Sequence, residues 1–210
     1  MRVAILGGTG SFGRAIAVRL AAVGEDEIVI GSRDEARARE VASELGPRVE
    51  GATNDDAAAG ADLVVLAVKA EAALETARGV AGALGTTPLL SVASALSFAK
   101  DGVRPDPDAR SIAERIQDLV DGPVLAGLHS IAAANLDAAA PDEDALVCGD
   151  DPAAKQLALT FAAKLVAGRA LDAGPLAGAR TLEGLTAVII NLNRRYRAHA
   201  GIAVTGVPEP

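Results

Sequence analysis

Six residues near the start of the chain, Gly8, Thr9, Gly10, Ser11, Phe12 and Gly13, have the types and spacing to hold a diphosphate. They carry the pattern G-x-G-x-x-G one residue after the apolar run Val3-Ala4-Ile5-Leu6 and before a helical pattern from Ala15 to Ala22. A strand that stops at a glycine turn and feeds a helix aims backbone N–H groups and the positive end of the helix dipole at an anion. In that arrangement Gly8 makes the tight turn, Gly10 lets the diphosphate approach, and Gly13 lets the helix lie against the strand. The string alone also occurs as a structural turn. Its address, just after one strand and about twenty residues before a second, favours a dinucleotide site.

The end of the second strand bears on which dinucleotide. Gly31, Ser32 and Arg33 stand there, with Arg37 one helical turn further on. An acidic residue at this place accepts from a ribose 2′-hydroxyl and repels a 2′-phosphate; a hydroxyl and two guanidinium groups do the reverse. Two charge-assisted hydrogen bonds of roughly 1.5 to 3 kcal/mol each make a preference of a hundredfold or more. NADP(H) is therefore expected over NAD(H). The bland reading, in which Arg33 and Arg37 are solvated charges and Asp34 meets the ribose, is weakened by the place of Asp34 as a helix N-cap.

Other reactive side chains are scarce. Cys148 is the single cysteine and His129 and His199 the only histidines, so neither an internal disulfide nor a zinc cluster is expected. Cys148 reads as a small buried apolar residue. His129, at a strand end, reads equally as a hydrogen-bonded structural residue and as a ligand contact. No catalytic residue and no metal ligand is named.

The elements that must position these groups alternate. Strands are expected at Arg2 to Leu6, Glu27 to Gly31, Arg48 to Ala52, Leu63 to Val68 and Pro88 to Val92. Helices are expected at Phe12 to Val23, Asp34 to Leu45, Asn54 to Gly60 and Glu71 to Leu84. Such a series predicts an α/β fold with a doubly wound, mostly parallel sheet of Rossmann type and right-handed crossovers. From Ser94 to Asp108 the pattern dissolves into Ser, Gly, Pro and Asp and reads as a mobile loop. A helix at Ala109 to Leu119, strands at Val124 to Leu128, Ala145 to Cys148 and Arg169 to Leu171, and a helix at Pro152 to Val166 follow. The long helix Ala177 to Arg197 ends the pattern, with Leu182, Leu185, Val188, Ile189 and Leu192 on one broad apolar face. It suits a dimer contact and a buried helix equally. Without repeats or Gly/Ser linkers, residues 1–210 read as one compact unit. Residues 1–93 are its nucleotide-binding core, and 94–210 add the remaining strands in a small α/β extension ending in the long helix.

Composition narrows the classes. Half of the 210 residues are apolar, enough for a real core, yet there is no Trp, one Tyr and three Phe. A net charge of −8 disfavours nucleic-acid binding, which needs a surplus of Lys and Arg. No apolar run is long enough to cross a bilayer and no secretory leader is visible, so a cytoplasmic protein without a membrane is expected.

Further segments carry a resemblance. Met1 to Gly10 with Ile30-Gly31-Ser32-Arg33, then Leu128-His129-Ser130-Ile131-Ala132-Ala133-Ala134-Asn135-Leu136, then Val147 to Asp151, Leu171 to Leu176, Ile190 to Arg194 and Ala200-Gly201-Ile202 resemble, in order, the NADP-dependent reductases of the deazaflavin coenzyme F420. The resemblance implies a homodimeric oxidoreductase moving a hydride reversibly between nicotinamide C4 and deazaflavin C5. It implies that Thr9, Gly10, Ser11 and Phe12 hold the diphosphate and Ser32, Arg33 and Arg37 the 2′-phosphate. Ala70, Leu74 and Ala133 would border the nicotinamide, and His129, Ile131 and Ala200 would lie near the deazaflavin. Hydride transfer between two stacked rings needs proximity and exclusion of water rather than a base, and Ala132, Ala133 and Ala134 would leave room for the rings. Two departures stand out: Val68-Lys69-Ala70 where many relatives have Pro and a bulky aromatic, and Ala132 where they often have Pro. The alternatives are an NADPH-dependent reductase of another acceptor (flavin, ferric complex, imine or carbonyl) and a non-catalytic NADP-sensing module.

Overall fold

Val3, Ala4, Ile5 and Leu6 are wholly buried because β1 (Arg2–Leu6) has neighbours on both sides and helices on both faces. The computed structural model describes residues 1–136 and 139–207. After β1 come α1 (Ser11–Val23), β2 (Glu27–Ser32), α2 (Glu35–Leu45), β3 (Val49–Thr53), α3 (Asn54–Ala58), β4 (Leu63–Leu66), α4 (Ala70–Leu84) and β5 (Leu89–Ser91). Then follow β6 (Leu96–Ala99), β7 (Gly102–Pro105), α5 (Ile112–Gln117), β8 (Val124–Gly127), β9 (Ala145–Gly149), α6 (Pro152–Ala163), β10 (Ala170–Asp172) and α7 (Ala179–Tyr196).

Eight strands form one sheet in the order β10-β9-β8-β5-β4-β1-β2-β3. All its pairs are parallel except β8 with β9, which bears out the mostly parallel, doubly wound expectation. The strands of the expected small extension join this same sheet. Leu6 pairs with Gly31 on one side and Leu66 on the other, and Ser91 pairs with Leu66 and Ala126. The carboxyl ends of five strands thus share one edge, the place where such sheets bind ligands. One core packs Ile16, Leu20, Val41 and Phe161 on one face; another packs Ala73, Val80, Ile112 and Leu182 on the other.

Local rules fix the helix starts. Asp34 accepts from the Arg37 N–H at 3.1 Å, and Asp151 from the Ala154 N–H at 2.8 Å with Pro152 following. The helix expected at Ala109 to Leu119 is shorter, because Ser111 and Glu114 close a capping box before Ile112.

Three expectations need correction. Ser94 to Asp108 is not a loop throughout: β6 and β7 pair as an antiparallel hairpin, Phe98 opposite Val103 and Ala99 opposite Gly102. The strand expected to reach Val68 ends at Leu66, leaving Ala67 to Lys69 as a turn. The single apolar face of the last helix divides: Leu182 and Ile189 are buried, while Val188 and Leu192 are exposed. No helix among the described residues is long and apolar enough to cross a membrane.

Candidate active site

Beyond Leu6 the chain reverses at Gly7, whose φ of +82° lies in the left-handed region that side chains resist. A Cβ there would lie 2.7 Å from the Ala67 carbonyl oxygen. The tight turn expected of Gly8 therefore belongs to Gly7; Gly8 lacks room for a side chain, its Cβ falling 2.8 Å from Ile30 Cγ2. At Gly13 a Cβ would fall 2.6 Å from the Gly7 carbonyl oxygen, so α1 can start against the turn only with glycine there. Gly10 precedes α1 without any side-chain cap, and the first helical bond runs from the Arg14 N–H to the Gly10 carbonyl at 2.9 Å. The N–H groups of Ser11, Phe12 and Gly13 are left as donors for an anion.

Two cavities meet above this turn. One, of about 460 Å³, is lined by Gly7, Thr9, Gly10, Ser32, Arg33, Asn54 and Thr76. The other, of about 580 Å³, is lined by Ala70, Glu71, Val92, Ala93, His129, Ile131, Thr186 and Ile190, with Leu96 and Phe98 of the hairpin. Ser11, Phe12, Ala67, Val68 and Lys69 border both.

The smaller cavity carries fixed positive charge. Arg33 is exposed and makes no hydrogen bond or ion pair among the described residues. Ser32 Oγ accepts from the Asp34 N–H at 3.1 Å. Arg37 does not line the cavity; its guanidinium reaches Glu40 at 3.3 Å, an exposed pair easily exchanged for a ligand. Asn54 keeps a buried Oδ1 without a partner, a polar group that the sequence reading passed over.

The larger cavity is assembled from distant segments. After β8, Leu128 takes a φ of +65°, a strained turn for a branched side chain that brings His129 to the cavity wall. His129 is buried; its Nε2 lies 3.2 Å from the Ala93 carbonyl and Nδ1 has no partner. Burial pushes its pKa down to about 4, so the ring is neutral at physiological pH. Thr186 Oγ1 donates to the His129 carbonyl at 3.0 Å and sits 2.8 Å from Ser94 Oγ, tying α7 to the β5 and β8 ends. The hairpin is held by Asn191, which accepts from the Val103 N–H at 2.9 Å and donates to its carbonyl at 2.7 Å. Phe98 stays exposed beneath the Arg194 guanidinium, 5.7 Å from its ring centre.

Other expected residues lie apart. Leu74 borders a shallow depression that shares Ala70 and Glu71 with the larger cavity. Ala133 belongs to a short 3-10 turn, Ala133–Asn135, and Ala132, Ala133 and Ala134 line neither cavity. Ala200 follows α7, its N–H bonded to Asn193 Oδ1 at 2.6 Å, beside a separate depression lined by Glu143, His199 and Gly201. Cys148 is buried, and burial pushes its thiol up to about 11, so it stays protonated. Glu183, missed in the sequence among the apolar positions of α7, is also buried. Its Oε1 accepts from the Ile112 N–H at 2.7 Å, and burial raises its pKa to about 7.

The chain is similar to proteins of known name. Residues 2–95 match the family described as NADP oxidoreductase, coenzyme F420-dependent. The F420-dependent NADP reductase of Methanothermobacter thermautotrophicus is 37% identical across 100% of this chain and 97% of its own. That of Methanothermobacter marburgensis is 36% identical across 100% of both. Among solved structures, a candidate F420-dependent NADP reductase from Arthrobacter sp. FB24 superposes with a TM-score of 0.85 at 28% identity, covering 98% of this chain and 100% of that one.

Proposed function

The chain belongs to the F420-dependent NADP reductases, and from that premise we propose that it moves a hydride between NADP(H) and coenzyme F420 across the junction of its two cavities. The observation that carries this reading is the shared border: Ser11, Phe12, Ala67, Val68 and Lys69 line both spaces, so a ligand in each would meet there.

The residues fit both ligands. Three free N–H donors at the start of α1 and the unpaired Arg33 suit a diphosphate and a 2′-phosphate. The apolar walls Phe12, Val92, Ala93 and Ile131 suit a flat ring system. When bound, the two coenzymes supply the reacting carbons, nicotinamide C4 and deazaflavin C5. The protein's part is positional: Thr9 to Phe12 hold the diphosphate, and Ser32 and Arg33, joined by Arg37 when it leaves Glu40, hold the 2′-phosphate. Ala70 borders the nicotinamide, and Ile131 and neutral His129 border the deazaflavin. The β6–β7 hairpin screens the junction from water. Leu74, Ala133 and Ala200 line neither cavity and have no part in this reading.

Three coarser features belong to the same reading. Residues 1–93 and 94–210 work as one unit, since strands from both share one sheet. The enzyme is a cytoplasmic homodimer, its contact the exposed stripe Val188, Leu192 and Tyr196 on α7; Leu192→Arg should yield monomers in sedimentation.

The test of the reaction is to mix the protein with NADPH and oxidised F420 and follow the deazaflavin's visible absorption, with free flavin as a parallel acceptor. Rapid bleaching with F420 alone is expected. Tight NADPH binding without bleaching would move the acceptor elsewhere.

A further inference from the structure

Lys69 stands where the fold alone would not put it. It precedes α4 as the N-cap, with φ −63° and ψ 152° and no capping hydrogen bond. An ammonium has no lone pair to accept a first-turn N–H, and its charge opposes the positive end of the helix dipole. A residue that breaks a local rule without local compensation points to a role beyond the fold. Lys155 is paired with Asp172 at 2.9 Å and Lys164 with Asp26 at 2.8 Å; Lys69, like Lys100 at the exposed tip of the β6–β7 hairpin, has no ion pair or side-chain hydrogen bond among the described residues. It is exposed at the common border of both cavities.

The two cavities differ in their need for it. The smaller already offers Arg33 and the free N–H groups of α1 to an anion. Among the described residues that line the larger, Lys69 is the only cation; the other titratable groups there are Glu71, exposed at the rim, and neutral His129, and Arg194 stacks on the ring of Phe98, itself a wall residue. Much of the remaining wall is apolar, which screens a charge poorly. An 8-hydroxy-5-deazaflavin ionises at its ring hydroxyl, and conjugation spreads the negative charge across the ring to the pyrimidine carbonyl.

On the reading that F420 occupies the larger cavity, we propose that Lys69 is a specificity-determining residue whose ammonium pairs with the ionised deazaflavin ring. The enzyme thereby selects the anionic form of its acceptor over neutral flavins.

The test uses oxidised F420 together with NADP+, a pair between which no hydride can pass. The ionisation of the bound deazaflavin is followed by its visible spectrum as pH is varied, in the native protein, Lys69→Gln and Lys69→Arg. The midpoint of the bound ligand should lie about one pH unit below that of free F420, equivalent to about tenfold tighter binding of the anion. Lys69→Gln should abolish the shift and Lys69→Arg keep it, while NADPH affinity, measured separately, changes less than about twofold. A midpoint unaffected by Lys69→Gln would overturn the proposal. So would a tenfold loss of NADPH affinity with F420 binding unchanged, which would assign the cation to the diphosphate. Native protein that binds NADPH and no F420 would overturn the underlying reading of the acceptor, and this inference with it.

Discussion

The two cavities that meet at Lys69 are built by different means. The smaller is made of backbone: a reversal at Gly7, uncapped N–H groups at Ser11 to Gly13, and one free guanidinium from the next strand end. The larger is made of side chains from the segments after β5 and β8, from β6 and from α7, held by Asn191, Thr186 and the strained Leu128. A backbone site tolerates changes in most side chains and fails where a Cβ intrudes. A side-chain site fails by degrees as its supports are loosened.

The sharpest break of this contrast is Gly13→Val. Its Cβ would press on the Gly7 carbonyl, and neither partner can swing away. NADPH affinity should fall more than about a hundredfold, with roughly 1–3 kcal/mol of stability lost to overpacking; calorimetric titration and thermal melts check both. Retained NADPH affinity would mean that the turn is not the phosphate site.

Next in size is the pH response of α7, whose buried side carries a carboxylate against α5. Glu183 has a folded pKa of about 7, raised by burial from its ordinary 4.5. The folded state therefore holds a proton that the unfolded chain releases between pH 4.5 and 7. Stability from this group is full below 4.5, declines through that window and is gone above 7, a difference on the order of 3 kcal/mol. Glu183→Gln keeps an acceptor for the Ile112 N–H and removes the slope, so denaturant melts should show it more stable than the native protein at pH 8 and similar near pH 4.5. An unchanged slope would place the proton elsewhere.

Specificity for the 2′-phosphate sharpens the contrast from the other side. Arg33→Ala should lower the ratio of kcat/KM for NADPH over NADH by about tenfold to a hundredfold. Arg37→Ala should do less, because Arg37 already has Glu40 to hold it. Removing both should erase the preference with the fold intact.

The smallest effect expected is that of Asn191→Ala, which removes two hydrogen bonds to Val103, worth about 1–2 kcal/mol together. The hairpin should exchange its amide hydrogens faster and KM for F420 rise severalfold, with NADPH affinity unmoved. Equal weakening of both ligands would mean that the hairpin also supports the turn.

The same division explains what could be read in the sequence. The eight strands of the main sheet, the early helices and the glycine turn were legible because each rests on contiguous residues: Val3 to Leu6 as a buried run, Gly8 to Gly13 as a turn, Asp34 as a cap. The assignment of Gly7 was not, because the Ala67 carbonyl that leaves it no room for a side chain comes from beyond the neighbouring strand β4, distant in sequence. The β6–β7 hairpin was missed although Leu96, Phe98 and Val103 bracket the turn at Lys100 and Asp101. Its strands are short and mostly exposed, so alternation is faint beside the polar residues. The cavity roles of Thr186 and Asn191 arise only when α7 folds back on β7 and β8, which no local pattern announces. Ala132 to Ala134 invited the opposite error: small residues near a site suggest space for a ligand, and here they line neither cavity.

Tyr196 gives the long helix one more consequence. It is the only tyrosine in a chain without tryptophan, and it lies 71% exposed at the end of α7. The protein is therefore almost dark in the near ultraviolet, and its one tyrosine, far brighter than its three phenylalanines, sits on the stripe proposed to meet a second copy. Intrinsic emission becomes a local gauge of self-association, read against a background in which a bound nicotinamide or deazaflavin supplies nearly all of the remaining light.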